Sequence, residues 1–226
     1  MRRLALLLLL AAPLPARAQF MEAVSGLFES LNSIAFYTQV GAFTNSEEIE
    51  GTLADFGVSG IGAEALLDLP GLGETDFELG LGTSILRGFE ATEPTLDLRG
   101  TLRTLPSIAV YASGLGVPDD AAVSPYLGVN FGILELWNAQ GFDADGNVYA
   151  VAGETYELGA TAGFYLEKTM FRGLYFEASY RVRDFESVTW SAEQLPEGWP
   201  RAFDASGWNA IVGWQFRIED EGEGGE

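Results

Sequence analysis

Apolar and polar residues alternate along most of this chain, most clearly between Phe164 and Phe185. Leu174, Phe176, Ala178, Tyr180 and Val182 fall on one side of an extended backbone, and Tyr175, Glu177, Ser179, Arg181 and Arg183 on the other. Just upstream, Tyr156, Leu158, Ala160, Ala162, Phe164 and Leu166 alternate with Glu157, Gly159, Thr161, Gly163 and Tyr165. Successive side chains of a strand point to opposite faces. The two runs, joined by residues 168–173, therefore predict a long β-hairpin with one oily and one charged face.

The same period recurs through the chain. Ile34, Phe36, Thr38, Val40 and Ala42 form one face of a first strand, and a second, glycine-rich strand covers about 53–66. The third sets Phe77, Leu79, Leu81, Thr83 and Ile85 against Glu78, Gly80, Gly82 and Ser84. In the fourth, Leu96, Leu98 and Leu102 oppose Asp97, Arg99, Thr101 and Arg103, and Pro106 breaks or bulges the run. The fifth sets Leu127, Val129, Phe131 and Ile133 against Tyr126, Gly128, Asn130 and Gly132. The eighth carries Trp208, Ala210, Val212, Trp214, Phe216 and Ile218 on one face, with Ile211 an exception on the other. Acidic or polar loops are expected at 43–52, 88–94, 137–154 and 186–204. The expectation is all-β: an eight-stranded antiparallel up-and-down barrel over residues 33–218.

The N-terminal region departs from this period. Phe20, Val24, Leu27, Phe28 and Leu31 recur at helical spacing, which predicts a short amphipathic helix over 19–32. Before it, Arg2 and Arg3 precede the unbroken Leu/Ala run Leu4–Ala12, and Ala16-Arg17-Ala18 offers a small-x-small cleavage site. Residues 1–18 read as a secretory signal, too short to span a bilayer. Residues 219–226 form an acidic tail.

Charge and composition narrow the function. The formal charge is −21 and becomes more negative once Arg2, Arg3 and Arg17 leave with the signal. That disfavours nucleic acid, whose phosphates need a basic face. Hydrophobic residues make up 47%, which is not a disordered composition. There is no histidine and no cysteine. Ser-His and Cys-His nucleophile systems are therefore excluded, and zinc, copper and haem lose their usual ligands. Glu157 and Glu177 remain a conceivable acid–base pair, but lumen salt bridges to Arg181 or Arg183 explain them better. Asp143, Asp145, Asn147 and Glu154 fill the first, third, fifth and twelfth positions of a calcium loop, yet Val148 stands where that loop needs glycine. A tight Asp-Gly turn is the simpler reading. No metal, cofactor or enzymatic activity is expected.

Period two does not say which face is wet, because a soluble barrel and a membrane barrel both show it. Three features favour the membrane form. Alternate connections are longer, as outer loops are in such barrels. The polar faces join glycines to charges of both signs, namely Glu78, Asp97, Arg99, Arg103, Glu157, Glu177, Arg181 and Arg183, which suits a neutralised lumen cluster. Trp137, Phe171, Tyr175, Trp208, Trp214 and Phe216 gather near strand ends, as interfacial girdles require.

The runs SPYLGVNFG (124–132), GLYFEASYRVRDF (173–185) and GWNAIVGWQF (207–216) resemble the small outer-membrane β-barrel proteins of Gram-negative envelopes, the OmpA- or OmpX-like, porin-family group. The resemblance implies localisation in the outer membrane with both termini periplasmic, contact with membrane lipid, and recognition of the last strand by the barrel-assembly machinery. The group usually ends on an aromatic residue, whereas ten residues follow Phe216 here. Lipid-modifying barrels of similar build depend on a Ser-His pair that this chain lacks. The expected function is a structural or interaction role with at most a narrow polar path. The alternative is a soluble, exported lipocalin-like barrel binding an apolar ligand. Leu127, Val129, Leu174, Phe176, Ala210, Val212 and Trp214 separate the two: outward in the first, inward in the second.

Overall fold

The computed structural model describes residues 31–43, 58–72, 75–93, 96–115, 118, 121–191, 199 and 201–218, with backbone only for 43, 58, 70–72, 88–93 and 96–97. The expected signal (1–18) and tail (219–226) lie outside these residues. So does the expected helix over 19–32, except for Leu31 and Asn32, which are strand.

In chain order the elements are β1 (Leu31–Phe43), β2 (Val58–Leu72), β3 (Thr75–Glu93), β4 (Leu96–Ser113), β5 (Val123–Phe142), β6 (Val148–Ala152), β7 (Glu154–Leu166), β8 (Leu174–Phe185), β9 (Thr189–Trp190), β10 (Phe203–Asp204) and β11 (Gly207–Arg217). Antiparallel pairing runs β1-β2-β3-β4-β5-β7-β8-β11 and returns to β1, closing an eight-stranded barrel. Gly153 alone separates β6 from β7, and both pair with β5, so they form one long stave. Closure leaves no unpaired edge around the ring.

Alternation decides what faces where. Leu127, Val129, Ile61, Val40, Leu158 and Val212 are exposed on the outside, whereas Glu157, Arg183 and Ser179 are buried within. The outward positions of β1 (Ile34–Ala42), β3 (Phe77–Ile85), β8 (Leu174–Val182) and β11 (Trp208–Phe216) are free of charge. Nine residues at about 3.3 Å each, tilted by about 40°, give an apolar belt roughly 20–25 Å tall. Arg87, Arg103, Glu135, Glu154 and Asp184 are the first outward charges above it, on the loop side.

Two expected loops are mostly strand. The stretch 88–94 belongs largely to β3, and 137–154 holds the end of β5, a five-residue turn and β6. The turn is built by Asp143, whose Oδ1 accepts the Asp145 N–H at 3.0 Å and the Asn147 N–H at 2.8 Å. Gly146 takes φ 80°, the left-handed conformation that glycine permits. The difference in connection length read from the sequence is therefore partly extra strand, raised beyond the belt. The second strand lies at 58–72, five to six residues later than expected.

Candidate functional site

Four layers fill the barrel, described here from the end that carries the short turns. First comes an open vestibule whose overlapping lobes measure about 680 and 470 Å³, bordered by Asp68, Asp76, Glu78, Glu167, Lys168 and Arg217. Asn32 Nδ2 donates to Asp68 at 2.7 Å and to Glu78 at 3.3 Å, and Arg217 pairs with Glu167 at 2.9 Å.

The second layer is aromatic. Tyr126 stacks on Tyr165 at 4.5 Å between centroids, and meets Tyr111 edge-on at 5.7 Å. Tyr37 and Tyr175 complete it, with Ala35, Leu66 and Ile211 between them. Four of the five rings lie beside a residue without a side chain, the exception being Tyr165, whose ladder partners are Ser124 and Tyr175. Tyr37 is paired with Gly62, Tyr111 with Gly128, Tyr126 with Gly163 and Tyr175 with Gly213. A Cβ on any of these glycines would run into the ring beside it. The inward glycines thus make room for tyrosines in a narrow lumen. Tyr175, expected in the interfacial girdle, is inside because it shares the parity of Glu177; Trp208, Trp214 and Phe216 do face outward.

Charge occupies the third layer. Glu157 is fully buried and receives Arg181 Nη1 at 2.8 Å and Arg183 Nε at 2.5 Å, one on each oxygen. Asn130 Nδ2 donates to the same carboxylate at 3.3 Å. Glu177 accepts Tyr126 Oη and Thr161 Oγ1, both at 3.1 Å. Glu64 accepts Tyr111 Oη at 2.9 Å. Every one of these carboxylates is engaged, so Glu157 and Glu177 do not present a free acid–base pair to a substrate.

The fourth layer closes the loop end with hydrocarbon. Leu86, Leu98, Leu102, Leu134 and Leu136 pack with Phe185, Trp190, Trp199 and Phe203. The described parts of the connection from β8 to β11 are tied together and to β8 by Val188 N–H to Arg201 O at 2.7 Å and Ala205 N–H to Arg183 O at 2.8 Å.

Four of the eight expected lumen charges, Glu157, Glu177, Arg181 and Arg183, meet in or beside the third layer, and Glu78 borders the vestibule. Arg99 and Arg103 are corrections. Between Thr104 and Ser107, β4 advances three residues while β5 advances two, from Leu134 to Gly132. This bulge reverses the alternation, as one extra residue must. Leu98 and Leu102 turn inward, while Arg103 points out to pair with Glu135 and lie 5.0 Å from the Trp137 ring centroid. Arg99 sits over Phe142 at 5.8 Å. Asp97 pairs with Phe142 in the ladder, and its side chain lies outside the described ones.

The sequence reading did not single out Glu64, Glu135 or the tyrosine layer. Glu64 sits in a run of glycine and alanine where alternation is faint, though Gly60, Gly62 and Glu64 share a parity.

No family model and no curated protein matches the chain. Among solved structures it is similar to Neisserial surface protein A, at 11% identity over 82% of this chain and 96% of that one, with a TM-score of 0.47. Outer membrane protein OprG from Pseudomonas aeruginosa is similar at 11% identity over 84% and 98%, TM-score 0.47. Ail, the attachment invasion locus protein of Yersinia pestis, is similar at 14% identity over 83% and 99%, TM-score 0.45.

Proposed function

We propose that this chain is an outer-membrane barrel with a structural or interaction role, not an enzyme and not an open pore. One observation carries the reading: the faces are inverted relative to a soluble barrel. Leu127, Val129 and Val212 are exposed outside, while Arg181 and Arg183 are buried inside. In water that arrangement would leave a continuous apolar belt unsatisfied, whereas lipid covers it. A lipocalin-like binder needs the opposite arrangement.

The interior supports a sealed barrel. A solute entering from the vestibule meets the tyrosines, then the Glu157 cluster, then the leucine and tryptophan plug. Eight strands leave an interior that side chains fill. What remains available to partners is the sheet that β3, β4, β5 and β6 raise beyond the belt. In this reading lipid contacts the belt, and β11, which closes the ring against β1, is the strand the assembly machinery handles.

Planar-bilayer recording tests the sealed state. The refolded mature protein gives no steady single-channel current. Stable unitary conductance in the unmodified protein overturns it.

A further inference from the structure

Between the tyrosines and the leucine plug, the described residues include three inward carboxylates, Glu64, Glu157 and Glu177, and two guanidiniums, Arg181 and Arg183. Both guanidiniums lie on Glu157. From the described residues, Glu64 and Glu177 receive hydroxyl hydrogens alone, from Tyr111 in the first case and from Tyr126 and Thr161 in the second. With all three carboxylates ionised, two positive groups against three negative ones leave one negative charge uncompensated in a layer shut off from water above. An unpaired buried charge is strongly destabilising.

The same place holds a void and an unused acceptor. A cavity of about 20 Å³ is bordered by Glu64, Glu177, Asn130, Ser107 and Tyr111, with Arg181 at its wall. That is room for one water-sized particle, which needs roughly 10–15 Å³. Asn130 is 8% exposed, and its Oδ1 has no hydrogen-bond partner among the described residues, because its Nδ2 is the atom turned to Glu157. An unused buried acceptor on a residue that borders the same void as two carboxylates, with space for a single particle, calls for a donor or a cation.

We propose that this cavity binds one small monovalent cation of sodium's size, held by Glu64, Glu177 and the Asn130 carbonyl oxygen. One positive charge neutralises the layer. A divalent ion overshoots by one and wants six or more oxygens. Access is from the vestibule, where Asp68, Asp76, Glu78 and Glu167 outnumber Lys168, Arg172 and Arg217 and draw cations in. The plug makes the site a dead end, so binding does not require conduction and is independent of the proposed role in the membrane.

The test is urea unfolding of the refolded mature protein in detergent micelles at about pH 8, well above the ordinary carboxylate range. Sodium chloride is titrated against choline chloride at constant ionic strength. A single site filled only in the folded state raises the midpoint in equal steps for each tenfold rise in sodium. Choline is too large to enter and leaves the midpoint flat. Glu64→Gln and Glu177→Gln each abolish the sodium response. Crystals soaked in thallium(I), a heavy monovalent substitute, show anomalous density between Glu64 and Asn130, which keeps the test independent of how the variants fold. Equal responses to sodium and choline, a sodium response surviving in both variants, or an empty cavity after soaking overturns the proposal. A midpoint that follows pH and ignores sodium does so too, and assigns a proton to the layer instead.

Discussion

Arg183 on β8 and Glu157 on β7 are cross-strand partners, and the guanidinium Nε lies 2.5 Å from the carboxylate. Arg181 reaches the other oxygen of the same carboxylate at 2.8 Å. One carboxylate thus ties two arginines of a single strand to its neighbour at mid-lumen, in a region with almost no water exposure.

Removing that carboxylate leaves two buried cations without a partner. Glu157→Ala is expected to lose roughly 3–5 kcal/mol of stability, the usual result of breaking a buried pair from one side. Glu135→Gln breaks the partly exposed pair with Arg103 and is expected to cost less than about 1 kcal/mol. Urea unfolding in detergent measures both, and equal costs would contradict the placement of the two pairs.

The tyrosine–glycine pairs make a second prediction. A methyl group at Gly62 meets the Tyr37 ring. Gly62→Ala is expected to destabilise by about 1–3 kcal/mol through overpacking. Adding Tyr37→Ala removes the clash, so the double variant is less destabilised than the sum of the two single changes. Strict additivity would mean that the ring does not lie over the glycine.

Leu134 is fully buried in the plug. Leu134→Ala is expected to cost roughly 2–5 kcal/mol, whereas Leu127→Ala, on the outward face of the same strand, costs less because lipid refills the space. The difference between the two midpoints is the readout. A reversed order would place the core of β5 on the wrong face.

Outside the belt, hydrogen bonds led by that from the Asn147 side chain hold the Asp143 carboxyl below the usual carboxylate range. A depressed value means the charged form is favoured in the folded turn. The turn's stabilisation is then full above the ordinary carboxylate pKa and lost as pH falls through the depressed one. Amide exchange at Asn147, whose N–H bonds Asp143, is expected to quicken on acidification relative to barrel amides, and Asp143→Ala is expected to quicken it at neutral pH and to remove that acid-dependent change.

Much of this architecture was legible in the residues themselves. Alternation from Leu174 to Val182 and from Trp208 to Phe216 located two staves and their faces, because period two survives wherever a strand runs without a bulge. The same reasoning misplaced Arg99 and Arg103. Their local pattern is regular, and the single extra residue near Pro106 that turns them outward leaves no mark on periodicity itself. Loop assignments failed at 88–94 and 137–154 for a related reason. Polar residues in these raised stretches carry the composition of a loop while the backbone keeps strand pairing. Within the interior, the glycines were read as small lumen residues, but the tyrosines they accommodate emerged only once cross-strand register was known.

The central claim is the inversion of faces, and the chain's lack of cysteine makes it directly measurable. Single cysteines introduced at Leu127, Val129 and Val212, labelled with a fluorophore in liposomes, are read against lipids brominated along the acyl chain, with Asp145 in the raised turn as the water-side control. The account predicts strong quenching at the three belt positions and none at Asp145. Labels at Leu127, Val129 and Val212 that escape the brominated chains and yield instead to a water-soluble quencher would contradict it.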